Sequence, residues 1–279
     1  MQAVAPTEPA FCSARHALAV RVFSGLLVCS VLSGCVAETS GGFGGEQSRE
    51  QALADYLQLA SAYLGNGDLR NARRHLDNAE RLNPNSSEAA AIWGLLYSRE
   101  GETRLAEEQF RRALRLDSQN SQARNNYAAF LFAEARYREA YEQLQEVVRD
   151  TTYPQRPQAF ENLGVAALRL ERVEEAEAAF QRALELDPTS WRASLELTGI
   201  NLDQGKILQA RQYYRNYDVL MQRRQREKDA RGLWQGARLE AALGNEHNVY
   251  EYGALLEADF STSPEYQLYL QLLDTLEDD

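Results

Sequence analysis

A signature returns every 34 residues, six times, between about Leu53 and Ser263, and it limits what this chain can fold into more than any other feature. Two stretches show it best. One carries Trp93-Gly94, Tyr97, Gly101, Ala106, Phe110 and Ala113; the other carries Leu163-Gly164, Ala176, Phe180, Ala183 and Pro188. Aligned on the Gly of the Trp-Gly or Leu-Gly pair, every unit has a small residue at position 8. Most units then have Ala at position 20, an aromatic residue or Leu at 24, Ala at 27, and often Pro at 32. Ala, Leu, Glu, Arg and Gln, all good helix formers, fill the units, and no β-branched alternation argues for a sheet. One such unit cannot bury its apolar face alone, so the units must stack.

This pattern resembles the tetratricopeptide repeat, whose period is 34. The resemblance predicts an all-α superhelix, an α-solenoid of about six antiparallel helix pairs. The units run 53–86, 87–120, 121–154, 157–190, 191–224 and 230–263, with short insertions at Gln155-Arg156 and Gln225 to Asp229. The turn inside each pair falls on Gly67, Gly101, Gly205 or Gly244, where Gly readily ends a helix in the left-handed conformation. Units three and four carry Ala135 and Glu171 there, which leaves their turns undetermined. Asn83-Pro84 and Asp187-Pro188 are expected to end second helices, with Ser87 or Ser190 capping the next. The aromatic stripe of Tyr63, Trp93, Tyr97, Phe110, Tyr127 and Phe180 reads as core between close-packed helices. Residues Tyr266, Leu270 and Leu273 fall on one face of a final helix, which either caps the last unit or serves self-association.

Ahead of the repeats, Arg15 and Arg21 precede an apolar run from Val22 to Gly34, with the shape of a secretory signal. Its 13 residues fall short of the roughly 20 needed to cross a bilayer. The run ends Leu32-Ser33-Gly34-Cys35, which resembles the bacterial lipoprotein box. That resemblance implies cleavage before Cys35 and acylation of that cysteine. Val36 in place of Asp implies the outer membrane rather than the inner. A Gly/Ser-rich stretch through Gly45 reads as a flexible tether. The expected organisation is a signal peptide over 1–34, a lipidated Cys and tether over 35–50, and a six-repeat domain with a capping helix over 51–279. Ser48 and Gln51 offer a capping-box start to the first helix.

Composition then removes whole classes of function. Beyond the leader the chain holds 28 basic and 40 acidic residues, a net charge of −12, which argues against nucleic acid as a partner. All three cysteines (Cys12, Cys29 and Cys35) lie in the first 35 residues, so the repeats have no disulfide or thiol nucleophile. His75 and His247 are far apart along a solenoid, which disfavours a shared metal. No phosphate loop or catalytic triad is recognisable. The expectation is a binding protein rather than an enzyme, with no cofactor beyond the lipid on Cys35 and no small-molecule substrate.

In tetratricopeptide proteins, repeat positions 2, 5, 9 and 12 usually face the concave surface. Here the resemblance points to a groove lined by Leu57, Leu64, Leu95, Asn125, Phe132, Glu161 and Leu168, with Ser61, Ala91, Ala129, Val165, Leu195, Gly199 and Leu202 beside them. The lining is mostly apolar, which suits an apolar or amphipathic peptide and disfavours a carboxylate clamp. The alternative is that these side chains pack against a neighbouring turn of the superhelix. Asn126 and Asn162, at position 6, read as structural.

Several stretches exceed the generic repeat. They include Asn125-Asn126-Tyr127-Ala128-Ala129-Phe130-Leu131, Arg136-Tyr137-Arg138-Glu139-Ala140-Tyr141, Asp150-Thr151-Thr152-Tyr153-Pro154-Gln155-Arg156 and Phe160-Glu161-Asn162-Leu163-Gly164. With the lipoprotein box and the six units, they resemble the PilF/PilW family of type IV pilus biogenesis lipoproteins. That resemblance implies a pilotin at the outer membrane, lipid-anchored and facing the periplasm, which brings secretin subunits there and supports their assembly. The other open reading is a scaffold lipoprotein that docks cell-wall hydrolases or outer-membrane assembly factors.

Overall fold

The computed structural model describes residues 45–277, with side chains from 48 to 276. Cys35, the apolar leader and the Gly-rich stretch before residue 45 lie outside the described residues. Thirteen α-helices follow one another, with no strand among the described residues. They pair as α1 (Gly45–Gly65) with α2 (Leu69–Leu82), α3 (Ser87–Arg99) with α4 (Thr103–Leu116), and α5 (Ser121–Ala133) with α6 (Tyr137–Arg149). Three more pairs are α7 (Arg156–Arg169) with α8 (Val173–Leu186), α9 (Trp191–Asp203) with α10 (Ile207–Arg223), and α11 (Ala230–Ala242) with α12 (Glu246–Phe260). The last helix, α13 (Pro264–Glu277), packs on the sixth pair. The six pairs agree with the sequence expectation of an all-α solenoid. Because α1 starts at Gly45, Ser48 lies inside the helix rather than at its cap.

Close helix approach inside a unit rests on a large residue meeting a missing side chain. Phe110 covers Gly94, and a Cβ there would lie 2.8 Å from its ring. Phe180 covers Gly164 in the same way, at 2.7 Å. Repeats five and six change the partners but keep the rule. Tyr217 replaces the usual Ala at position 27 and sits over Gly232, while Tyr214 and Tyr252 cover Gly236. Gly253 removes the aromatic expected at position 24 of the sixth unit, and Tyr269 of α13 fills that space. So α13 completes the sixth unit's core through Tyr266, Tyr269, Leu273 and Leu276. Leu270, expected on that face, is exposed instead.

All six intra-pair turns have one geometry. The backbone amide after the left-handed residue donates to the carbonyl five residues back, as Asp68 does to Tyr63 at 2.9 Å and Arg172 to Ala167 at 2.9 Å. Gly67, Gly101, Gly205 and Gly244 have φ between 69° and 78°. Ala135 and Glu171 take the same region, at 58° and 59°. The stack imposes the turn, and two L-residues carry the strain. Ala135→Gly and Glu171→Gly are each expected to add roughly 0.5–1 kcal/mol, since relief of about 1–2 kcal/mol of left-handed strain exceeds glycine's entropy cost. Urea unfolding of each variant measures this, and a lowered midpoint contradicts it.

Caps fall mostly as expected, with one shift. Asn83 and Asp187 end α2 and α8, and the Ser190 hydroxyl accepts from the Ala193 amide at 3.1 Å. The cap of α3 is Ser86, which accepts from Ala89 at 3.1 Å. Ser87 instead donates to the Ala113 carbonyl at 2.9 Å, tying α3 to the end of α4. Ion pairs one repeat apart reinforce the stack: Arg112 with Glu80 at 2.9 Å and Arg136 with Glu107 at 2.9 Å. Arg136, Arg111 and the Tyr127 hydroxyl all engage Glu107, whose carboxyl is held below the usual carboxylate range chiefly by Arg136.

Candidate binding surface

The concave face is built from the first helix of each pair, and its character changes along the stack. At the amino-terminal end, Leu57 and Leu64 do not face a groove. They are 3% and 6% exposed and pack with Leu76, Ile92 and Leu96 of α2 and α3, where their apolar area leaves water. At the other end, Leu195 and Leu202 are buried with Tyr214, Tyr217 and Leu239, and Gly199 is covered by Gln235. Helix α9 is closed in by α8, α10 and α11. These side chains therefore belong to the core of their own and adjacent repeats at both ends, rather than to a groove or to a neighbouring turn of the superhelix, and the open surface lies between them.

Two hollows occupy that open surface. The wider, about 600 Å³, lies across α1, α3 and α5. Leu95, Ile92 and Ala91 supply its apolar wall, while Ser61, Glu88, Gln122 and Asn126 make the rest polar. The smaller, about 140 Å³, has an apolar floor of Ala128, Ala129, Phe132, Leu144 and Val165, with Asn162 and Arg192 completing it. Phe132 is fixed edge-on against Tyr137, ring centres 5.0 Å apart.

The connection between repeats three and four is held by its own set of contacts. Asp150 ends α6, and its carboxylate accepts from Ser121 Oγ at 2.6 Å, Thr152 Oγ1 at 2.6 Å and the Thr152 amide at 2.9 Å. These bonds hold the Asp150 carboxyl below its ordinary range. Tyr153 is buried with Val147 and Ala159, and its hydroxyl donates to Gln122 at 3.2 Å. Arg156 donates to the Val148 carbonyl at 2.8 Å and lies over the Phe160 ring. The non-consensus residues are thus a folded brace. They set α7 more fully against α6 than α5 is set against α4.

The remaining groove residues divide by role. Leu95 and Phe132 line hollows. Leu168 is half-buried and packs on the core of repeats three to five. Glu161 accepts from the Ser190 hydroxyl, which ties α7 to the cap of α9. Asn125 is half-buried, and its Oδ1 is enclosed without a hydrogen-bond partner. Asn162, read from sequence as structural, lines the pocket. Arg192 was missed in sequence, although it stands at position 2 of the fifth unit, one of the groove positions. Its neighbour on the concave wall, Glu196, is 5% exposed; burial pushes its carboxyl up, and Arg231 opposes that shift by pairing with it.

A tetratricopeptide-repeat family profile matches residues 57–121 and 131–190. The type IV pilus assembly protein PilF of Pseudomonas aeruginosa is 34% identical over 253 residues, which cover 90% of this chain and 98% of that protein. The chain belongs to the PilF/PilW family of tetratricopeptide-repeat proteins. The solved structure of P. aeruginosa PilF superposes with a TM-score of 0.74 at 32% identity, covering 80% of this chain and 99% of that one. The structure of PilW, described as a widely conserved type IV pilus biogenesis factor, gives 0.67 at 28% identity, covering 79% and 99%. The relationship is therefore to type IV pilus biogenesis proteins along nearly their whole length, rather than to a generic repeat. No helix among the described residues is long and apolar enough to cross a membrane.

Proposed function

We propose that this protein is a pilotin. Cys35 carries the lipid and holds it at the outer membrane, facing the periplasm. The concave surface of repeats two to four takes up secretin subunits there and promotes their assembly into the pore of the type IV pilus. The observation that carries this reading is the end-to-end similarity to PilF, a type IV pilus assembly protein. The lipoprotein box supports the anchor, and the open hollows beside Leu95 and Phe132 support a peptide partner. The repeats act by binding, without catalysis. Confinement of both partners to one membrane raises their effective concentration, so a modest affinity in the groove suffices.

Cys35→Ala tests the anchor. Two or more acyl chains hold a protein stably at a membrane, at roughly 0.8 kcal/mol per buried CH₂, and the variant has none. The expected result is a folded periplasmic protein with secretin multimers lost from the outer-membrane fraction. Normal multimers in that fraction, or co-purification of a cell-wall hydrolase in place of secretin, contradict the proposal.

A further inference from the structure

The smaller concave pocket carries a statement about what enters it, and this rests on the reading of the concave surface as the partner site. Its volume is about 140 Å³, close to the roughly 150 Å³ of an engineered apolar cavity that holds one benzene ring. Its floor is made of alanines, Phe132, Leu144 and Val165, with no charge. That space has room for one aromatic side chain.

Arg192 adds a requirement beside the anchor. It is exposed and lines the pocket; the buried Glu196 carboxyl one turn along α9 feels its charge, but the direct ion pair of Glu196 is with Arg231. The carboxylate at this end of α7, Glu161, is already engaged by Ser190. An exposed guanidinium beside an apolar pocket, its fork not taken up by a direct carboxylate contact, is complementary to an acidic group on a partner. The wider hollow continues the same concave surface across α3 toward α1, so a bound chain has room to run on past the pocket.

We infer that the pocket takes an internal segment of a partner protein in which a phenylalanine side chain is followed by an aspartate or glutamate, the ring seated on Phe132 and Val165 and the carboxylate on Arg192. Fluorescence anisotropy with the full chain in detergent tests this. The probes are fluorescein-labelled peptides with a central Phe-Asp in a Gly/Ser frame, and counterparts with Phe-Asn, Ser-Asp, Phe-Lys, or a terminal Phe with a free carboxylate. Phe-Asp is expected to bind best, with Phe-Asn and Ser-Asp each about tenfold weaker. In Arg192→Glu the order of Phe-Asp and Phe-Lys reverses, which loss of structure would not produce. Equal binding of Phe-Asp and Phe-Asn, tighter binding of the terminal-carboxylate peptide, or no binding of any peptide overturns the inference. No secretin enters this assay. A reversed preference beside normal secretin assembly in the Cys35→Ala strain sinks the pilotin reading and leaves the pocket standing.

Discussion

Phe180→Ala is expected to cost about 3–5 kcal/mol, the range for removing a fully buried aromatic side chain. The site makes the upper part of that range the expectation. Phe180 is completely buried and joins repeats four and five through Leu163, Ala167, Ala193 and Leu197. The surface it covers is Gly164, which has no side chain to move into the vacated space. Neighbouring alanines at 128, 176, 179 and 183 are likewise too small to collapse into it. Total stabilities of natural domains are roughly 5–15 kcal/mol, so this one change takes a large share. A solenoid transmits the loss only to adjacent units, because each repeat's stability depends on its nearest neighbours. The variant should therefore unfold in two steps, repeats four and five first, when urea denaturation is followed by circular dichroism. A single transition shifted by less than about 1 kcal/mol contradicts this account of the core.

The repeat period made the fold legible because each unit repeats the same packing problem. Position 8 must be small where position 24 is large, and Gly94 with Phe110 and Gly164 with Phe180 satisfy that rule visibly in sequence. The sixth unit obscured it. Its Gly253 looks like a defect until α13 brings Tyr269 onto it, and that contact depends on how a later helix docks. The turns at Ala135 and Glu171 were undetermined for a related reason, since local preference disfavours a conformation that packing on both sides imposes.

The groove was only partly legible. Repeat positions identify the concave side of a helix but say nothing about whether the next helix covers it. Leu57 and Leu64 were lost to the core of repeats one and two, and Leu195 and Leu202 to that of repeats five and six. Leu95 and Phe132 stayed open. The insertion at Gln155-Arg156 after Asp150-Thr151-Thr152-Tyr153-Pro154 is legible in sequence but lines neither hollow. It folds as a brace between α6 and α7. Cys35 and the segment around it lie outside the described residues, so the anchor rests on the sequence motif alone.

If the proposed pilotin role holds, the Leu95→Glu/Phe132→Glu double variant is expected to lose secretin binding by more than about 100-fold while staying helical, since central apolar anchors contribute roughly 2 kcal/mol or more each. Both side chains are half-buried at hollows open to solvent, so the new carboxylates have a route to water and the fold survives. A bound apolar segment would instead have to bury those charges or leave the hollows empty, and either outcome forfeits the contact. Leu208→Glu, at a leucine of α10 that is 71% exposed, should change nothing and serves as the control. The decisive measurement is the amount of secretin that co-purifies from outer membranes with the parent protein, the double variant and the control. The concave-surface account predicts capture by the parent and by Leu208→Glu, and none by Leu95→Glu/Phe132→Glu with its circular dichroism unchanged. Undiminished capture by the folded double variant would contradict it.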